Sequence, residues 1–194
     1  LDGPRIFVVG GGDPALADPD LLEDMVDGSG RPLDVEGLLA LWVERIRASG
    51  VTRVEELIID DRIFDQEYLH PDWPRDQIER HYCAEVGGLN FHRNVIWLRP
   101  EIRDGRIVLH ESPAASFLPL DNRLQIGPPG KGDNVIDPHR APAEADIQIR
   151  GTIREPQKAP VQVTIHDPSM FTGALLADRL RRVGISVDLV RRVT

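Results

Sequence analysis

Hydrophobic and polar positions near the start of the chain predict a strand followed by a turn. Residues 5–9 read Arg-Ile-Phe-Val-Val, an apolar run typical of a buried strand. The glycine-rich stretch 10–14 then predicts a tight turn. Residues 13–32 carry three prolines and many small or acidic residues, and within them a short helix is expected at 20–26.

The clearest helix pattern comes next. Asp34 is a suitable N-cap and Gly50 a suitable terminator, because the side chain of aspartate can accept from the first free amides and glycine tolerates a left-handed residue. Between them the apolar side chains recur on one helical face: Val35, Leu38, Leu39, Trp42, Val43 and Ile46. Residues 57–59 then predict a strand that ends at Asp60 and Asp61. This strand–helix–strand order favours an α/β layer.

The pattern changes in the middle of the chain. Residues 94–98 predict one more strand, but from 100 to 160 helical periodicity disappears and prolines recur. Short apolar runs at 107–110 and 147–149 alternate with turns. We therefore predict a small β-rich module at 100–160, inserted into the first domain.

The α/β pattern returns after residue 160. Residues 161–165 predict a strand, and Asp167 followed by Pro168 predicts a helix start, with the helix running to about Val183. Residues 185–190 alternate like a strand. The predicted fold class is thus α+β or α/β, with a discontinuous domain over 1–99 plus 161–194 and a nested β-rich domain over 100–160.

Composition and charge narrow the choice of partners. The chain has 32 acidic and 23 basic residues, a formal net charge of −9. This acidity disfavours nucleic acid and anionic membrane surfaces as partners, because both require a basic face. No stretch approaches the roughly 20 apolar residues of a membrane span, so none is predicted. The chain begins without methionine or a signal peptide, and we expect it to be part of a longer protein.

Two glycine-rich stretches resemble nucleotide-binding loops. Gly10-x-Gly12-x-x-Ala15 matches the dinucleotide fingerprint, but Asp18-Pro19 interrupts where a long helix should start. The stretch 127–132 contains Lys131 but has glycine where a phosphate loop needs serine or threonine. We expect both stretches to be turns, and no cofactor is predicted.

The candidates for catalysis or metal binding are scattered. Histidines and carboxylates between residues 60 and 92 leave a metal-assisted hydrolase as one hypothesis, although no pair has the spacing of zinc ligands. The single cysteine, Cys83, lies two residues from His81. None of the six serines lies in Gly-x-Ser-x-Gly or precedes a lysine by three positions. No catalytic residue and no metal ligand is therefore predicted.

Aromatic residues are concentrated in one region. The chain has ten (five Phe, three Trp and two Tyr), and six of them lie between residues 60 and 98: Phe64, Tyr68, Trp73, Tyr82, Phe91 and Trp97. The densest part reads HPDWPRDQIERHY over 70–82. Such a stretch is typical either of a pocket wall or of a loop anchored by its rings.

Five short motifs follow one another in a familiar order. They are GGGDPAL (10–16), ELIIDDRIFD (56–65), HPDWPRDQI (70–78), HYCAEVGGLNFHRNVI (81–96) and VTIHDPSMFTGALLADRLRRVGISV (163–187). In this order they resemble the inserted region of the penicillin-binding-protein-4-like D-alanyl-D-alanine carboxypeptidases, the serine peptidases of family S13. The resemblance covers nearly the whole chain.

The resemblance implies that the catalytic residues lie on a different domain from the inserted ones. Members of this family carry Ser-x-x-Lys, Ser-x-Asn and Lys-Thr-Gly on a penicillin-recognising domain, into which two further domains are inserted. This chain has none of the three motifs, so it resembles the inserted domains alone and is expected to be inactive by itself. The implied partners are that penicillin-binding domain in cis and the peptidoglycan stem peptide, and the implied location is periplasmic or extracytoplasmic. A non-enzymatic binding module of the cell envelope is the alternative.

The resemblance also implies a site. In relatives, the segment that matches 73–82 passes the mouth of the active site and helps to line the pocket for the stem-peptide side chain. Trp73, Asp76 and Tyr82 are candidates for this pocket edge, and aligning on Tyr82 places Gln77 at the position of the family's acid. The other interpretation of Trp73 and Tyr82 is that they only anchor the loop.

Overall fold

The computed structural model describes residues 4–130 and 132–193, which fall into two compact units. The first contains the residues up to 68, 85–94 and the residues from 167 onward, and the second contains 69–84 and 95–166. Residues 1–3 and 194 of the predicted first domain, and Lys131 of the predicted turn at 127–132, lie outside the described residues. The predicted domain limits of 99/100 and 160/161 remain a prediction.

Three helices and nine strands form the framework of the described chain. In chain order they are β1 (Arg5–Val9), α1 (Pro19–Glu23), α2 (Val35–Ala48), β2 (Arg53–Asp60), β3 (Val95–Arg103), β4 (Arg106–Ser112), β5 (Leu120–Ile126), β6 (Val135–Arg140), β7 (Ile147–Ile153), β8 (Val161–Thr164), α3 (Pro168–Arg182) and β9 (Ser186–Arg192). Two short 3-10 turns, His81–Cys83 and His92–Asn94, complete the list. The predicted mixed class, with helices and several small sheets, is confirmed.

The first unit is built on a parallel sheet in the order β1-β2-β9. Helices α2 and α3 share one hydrophobic core with strands β2 and β9 of this sheet. The buried core of this unit consists of Val43, Val54, Leu57, Ile59, Leu89, Leu176, Ala177, Leu180, Ile185 and Val187. The strand–helix–strand layer expected from the sequence is therefore present, and the carboxyl ends of all three strands lie at the same edge.

Aspartate side chains start the helices as predicted. Asp34 accepts from the Gly37 amide at 2.7 Å at the start of α2, and Asp167 accepts from the Met170 amide at 3.1 Å at the start of α3. These bonds satisfy amides that have no partner inside the helix. Helix α1 ends at Glu23 and does not continue to residue 26.

The early end of α1 has a local cause. The Asp27 carboxylate accepts from the amides of Ser29 and Arg31, at 2.8 and 3.0 Å, and closes a turn. Val26 bridges Pro32 across this turn. The side chain of aspartate thus offers the backbone an alternative to helical bonds.

The second unit contains two small sheets. One has the antiparallel order β4-β3-β8, and the other has the order β5-β7-β6, with β5 parallel and β6 antiparallel to β7. The fully buried hydrophobic residues of these strands are Val95, Ile96, Leu98, Ile147, Ile149, Ile153 and Val163. Within the described residues, no helix is both long and apolar enough to cross a bilayer.

Candidate functional site

Backbone hydrogen bonds link the glycine turn after β1 to the carboxyl edge of the parallel sheet. The Gly10 amide donates to the Asp60 carbonyl and the Gly12 amide to the Gly88 carbonyl, both at 2.8 Å. A β-carbon on Gly10 would lie 2.2 Å from the Gly88 oxygen. Glycine is required here by this close approach and not by a ligand, since the helix that follows, α1, is only five residues long.

The adjacent acids Asp60 and Asp61 point to different partners. Asp60 pairs with Arg62, whose guanidinium lies 2.8 Å away, and this bond holds the pKa of Asp60 below its ordinary value. Asp61 is buried and accepts from Nε and Nη2 of Arg192, each at 3.0 Å. The two carboxylates therefore do not form a catalytic dyad, in agreement with their opposite directions on a strand end.

Arg192 connects three parts of the first unit. Besides Asp61 it donates to Asp167 at 2.7 Å, and its guanidinium carbon lies 5.7 Å from the centre of the Tyr68 ring. Burial alone would lower the pKa of Arg192, but its bonds to Asp61 and Asp167 raise it above the ordinary value. The guanidinium thus stays charged and ties the ends of β2 and β9 to the start of α3.

Tyr68 faces this ion cluster with a buried hydroxyl. Within the described residues that hydroxyl has no hydrogen-bond partner. Burial, with the negative charge of Asp167 next in importance, raises the pKa of Tyr68 to about 12. A phenol with this pKa stays neutral at physiological pH and is unsuited to act as a general base.

Ser169 has a structural role. Its hydroxyl is fully buried, donates to the Leu89 carbonyl at 3.1 Å and lies 3.3 Å from the Leu89 amide, which donates to it. The nearby Asn90 and Asn94 are joined by a 2.7 Å bond, and they hold the loop by accepting from the amides of Gly87 and Phe91. No base lies among these contacts, so Ser169 does not form a nucleophile of the Ser–His or Ser–Lys type.

The sequence-predicted pocket edge lies entirely in the second unit. Residues 70–84 form consecutive turns, closed for example by the bond from the Gln77 amide to the Pro74 carbonyl. Within them the hydroxyl of Tyr82 donates to Oε1 of Gln77 at 2.7 Å. Tyr82 is 58% exposed, Asp76 is exposed, and Trp73 and Gln77 are half-buried.

The structure thus joins two of the four candidates directly. Tyr82 and Gln77 form one hydrogen-bonded unit, and the ring of His81 packs edge-on against Tyr82 with centroids 5.4 Å apart. Trp73 and Asp76 belong to the same run of turns but make no hydrogen bond to that unit. The role of all four residues remains a proposal.

The turns at 70–84 are anchored from β8, with support from β6, by residues that the sequence did not point to. Thr164 donates its hydroxyl to the Ile78 carbonyl at 2.5 Å and its amide to the Glu79 carbonyl at 3.2 Å. Arg140, almost completely buried, donates to the same hydroxyl from Nε and Nη2 at 3.3 and 3.2 Å. A threonine and an arginine more than 60 residues downstream give no local sequence signal of this contact.

The region around the turns at 70–84 contains neither a reactive cysteine nor a metal site among the described residues. The thiol of Cys83 is buried, and burial together with Glu79 and Asp76 raises its pKa, which makes it a poor nucleophile. Among residues 4–130 and 132–193, no group of three or more His, Cys, Asp or Glu side chains is arranged to hold a metal ion.

Comparisons with known proteins identify relatives over almost the full length. The sequence model of the D-Ala-D-Ala carboxypeptidase 3 (S13) family matches residues 2–191. Among curated protein sequences, none matches at a significant level.

Solved structures share the fold. Penicillin binding protein 4 of Haemophilus influenzae matches with a TM-score of 0.61 and 14% identity, over 96% of this chain and 38% of the other. The same protein in complex with a novel β-lactam matches with a TM-score of 0.51 and 12% identity, over 96% of this chain and 35% of the other. The chain therefore spans little more than a third of the length of these structures.

Proposed function

Because the chain belongs to the D-Ala-D-Ala carboxypeptidase 3 (S13) family, we propose that it is the noncatalytic inserted region of a serine-type D-Ala-D-Ala carboxypeptidase or endopeptidase. The substrate of the parent enzyme would be peptidoglycan, outside the cytoplasm. The observation that carries this proposal is the family match over residues 2–191 of a chain that contains no Ser-x-x-Lys, Ser-x-Asn or Lys-Thr-Gly. The chemical groups of the reaction would then lie elsewhere in the parent.

The parent reaction needs two chemical groups. A serine hydroxyl attacks the carbonyl of the penultimate D-Ala, and a lysine amine takes its proton and passes one to the leaving D-Ala. Water then hydrolyses the acyl-enzyme. The described chain offers no equivalent pair, since the buried Ser169 is bonded to Leu89 and the buried Cys83 has a raised pKa.

The contribution of the inserted region would be a rigid frame and one edge of the stem-peptide pocket. The exposed Tyr82 ring can pack on the methylenes of a substrate side chain, and its bond to Gln77 fixes the ring orientation. The neighbouring carboxylate of Asp76 is exposed and can pair with an amino group at the end of that side chain. The bonds from Thr164 to Ile78 and Glu79 hold this edge in place.

Kinetics of the full-length parent enzyme test the proposal. Tyr82→Ala and Asp76→Asn should each raise KM for a stem pentapeptide with an amino side chain about tenfold, because a charge-assisted hydrogen bond or a packed ring contributes about 1.4 kcal/mol or more. The kcat and the rate of acylation by penicillin should not change, since neither involves this side chain.

The matched control is Glu67→Gln, an exposed charge removal in the first unit. It should leave KM unchanged. Unaltered KM in both pocket-edge variants would remove the pocket role, and a parent that releases no D-Ala from any stem peptide would remove the enzymatic proposal.

A further inference from the structure

A cleft lies on the sheet β4-β3-β8, and none of its lining residues belongs to the turns at 70–84. It has a volume of about 520 Å³. Its lining includes Trp97, Arg99 and Glu101 of β3, and His110 and Ser112 of β4. This volume lies within the range of small-ligand sites, about 300–1,000 Å³.

The strand register explains why these side chains share one face. Trp97, Arg99 and Glu101 alternate along β3, and side chains two residues apart on a strand point the same way. Across the ladder, Ser112 lies opposite Trp97 and His110 opposite Arg99. Ile96 and Leu98, the two neighbours of Trp97 in sequence, are fully buried on the other face. One side of the strand thus forms the core, and the other presents an aromatic ring among polar groups.

Some polar side chains of the cleft are already hydrogen-bonded within the described part of the protein, and that of Arg99 is not. Glu101 accepts from His110 at 2.8 Å and from Arg103 at 3.1 Å, and Glu111, opposite Leu98 in the ladder, accepts from the Ala115 amide at 3.0 Å. Arg99 is exposed, and within the described residues its guanidinium has no hydrogen bond or ion pair. It therefore has donors to offer a ligand, beside the ring of Trp97.

The charges select the ligand class. Glu101 is paired with His110 and Arg103, and Glu111 is bonded to the Ala115 amide on the Leu98 side of the ladder. Among the lining residues, all of them described, Arg99 is therefore the charged side chain with donors left for a ligand. The chain as a whole carries −9, which disfavours a polyanion. A neutral ligand with many hydroxyl oxygens and one apolar face fits an aromatic ring next to free guanidinium donors, and a sugar ring has both properties.

We propose that this cleft binds a neutral N-acetylated amino sugar of a glycan strand, with its ring packed on Trp97 and its oxygens accepting from Arg99. The sugar class follows from the cleft, while the N-acetylated kind rests on the proposed role in peptidoglycan. Two residues of strand separate Trp97 from Arg99 by about 6.6 Å, so one sugar unit can reach both. The inserted region would then hold the glycan while another part of the parent cuts its peptide.

Nuclear magnetic resonance of the 194-residue chain tests this directly. The ¹⁵N-labelled protein is titrated with N,N′,N″-triacetylchitotriose while the indole N–H signals of its three tryptophans are followed. The Trp97 signal, assigned with Trp97→Phe, should shift saturably with a Kd of about 1 mM. The signals of Trp42 and Trp73 should not shift. Cellotriose, which lacks acetamido groups, should bind more weakly.

Matched variants separate binding from folding. Arg99→Gln should raise the Kd about tenfold, because a hydrogen bond from a charged donor contributes about 1.5 kcal/mol or more. Arg150→Gln removes the same charge from an exposed arginine of β7 and should leave the Kd unchanged.

Three results would overturn the proposal. They are an unshifted Trp97 signal at about 10 mM sugar, equal Kd values for Arg99→Gln and Arg150→Gln, or a Trp97 shift with a stem peptide and none with the sugar. Release of D-Ala by the full-length parent is a separate readout, so the loss of sugar binding would leave the proposed function standing.

Discussion

Arg192, the last residue of β9, donates from Nε and Nη2 to the carboxylate of Asp61, the first residue after β2, across 131 positions of sequence. The side chain of Asp61 is only 4% exposed and that of Arg192 20%. Since the same guanidinium also bonds Asp167 at the start of α3, this pair fixes the carboxyl edge of the first unit. A strand end of this kind often carries catalysis in α/β proteins. Here it carries an internal ion cluster.

Removing the acid of this pair should destabilise the first unit strongly. Asp61→Ala leaves the charge of Arg192 with one partner fewer in a largely buried position, and we expect the free energy of unfolding to fall by about 3 kcal/mol. Asp60→Ala is the control, because it breaks an ion pair with the exposed Arg62 and should cost much less. Urea unfolding measures both, and equal losses would contradict the cluster's importance.

Two adjacent glycines in the turn after β1 should differ in how much their replacement by alanine destabilises the fold. A β-carbon on Gly10 would lie 2.2 Å from the Gly88 oxygen, whereas one on Gly11 would meet nothing within 4 Å. Gly10→Ala should therefore lower the free energy of unfolding by about 2 kcal/mol or more, because backbone must move to make room. Gly11→Ala should be neutral or slightly stabilising. A neutral Gly10→Ala in thermal unfolding would show that the approach of Gly10 to Gly88 is not tight.

Tyr68 should ionise at unusually high pH. With Tyr82→Phe, Tyr68 is the only tyrosine, and its phenolate absorbance near 295 nm should develop around pH 12, because burial and Asp167 raise its pKa to about 12. The unfolded chain ionises near the ordinary 10.0. The neutral phenol therefore stabilises the fold below pH 10, and this contribution is lost as the pH rises toward 12. A midpoint near 10 in the folded protein would refute the burial of this hydroxyl.

Asp18 should make stability depend on acid pH. Its bonds from Arg93, at 2.7 and 2.9 Å, are the largest cause of its pKa lying below the ordinary 3.8. The stabilisation is thus complete above pH 4 and is lost as the pH falls below that value. Asp18→Asn should be less stable than the wild type at pH 7, and this difference should shrink below pH 4 in urea unfolding at a series of pH values.

Glu23→Gln is the control for that series. Glu23 is an exposed carboxylate of α1, so its replacement should leave the pH profile of the wild type unchanged. A difference between Asp18→Asn and the wild type that stays constant from pH 7 to pH 3 would show that the Arg93 bonds do not depend on the Asp18 charge.

The sequence predicted the helices and strands whose limits are set by nearby residues. The N-caps Asp34 and Asp167 and the terminating Gly50 act within one helical turn. Helix α2 has the limits that its cap and glycine indicate, and α3 starts directly after Asp167 and ends within a residue of the predicted Val183. The first unit's parallel strands also follow from short apolar runs, but the predicted burial of β1 is wrong, because this edge strand leaves Phe7 58% and Val9 69% exposed. The Tyr82–Gln77 bond joins two residues that the family resemblance had already selected.

The length of β3 shows where local signals fail. Pro100 favours a break near residue 100, yet β3 runs from Val95 to Arg103. Its second neighbour, β8, pairs only with residues 95–98, so Pro100 lies where β3 has β4 on one side alone. A proline is tolerated there because no ladder bond from its nitrogen is needed. This depends on the limits of another strand, which residues near Pro100 do not reveal.

Contacts between residues far apart in sequence could not be predicted from the sequence either. Nothing around Asp61 indicates Arg192, and nothing around Ile78 indicates Thr164 or Arg140, because these pairs form only after strands far apart in sequence are assembled. The cleft beside Trp97 likewise requires the register of β3 against β4. The concentration of aromatic residues between 60 and 98 indicated that this region matters, but it did not predict the surface on which each ring lies.

Covalent labelling of the isolated chain with a fluorescent penicillin decides most directly whether this polypeptide carries a nucleophile. We expect no fluorescence on a denaturing gel and an unchanged intact mass, while the full-length parent takes up one equivalent under the same conditions. The serines at stake are Ser29, Ser49, Ser112, Ser116, Ser169 and Ser186. A stoichiometric penicilloyl adduct on any of them, abolished by unfolding the chain beforehand, would contradict a noncatalytic inserted region.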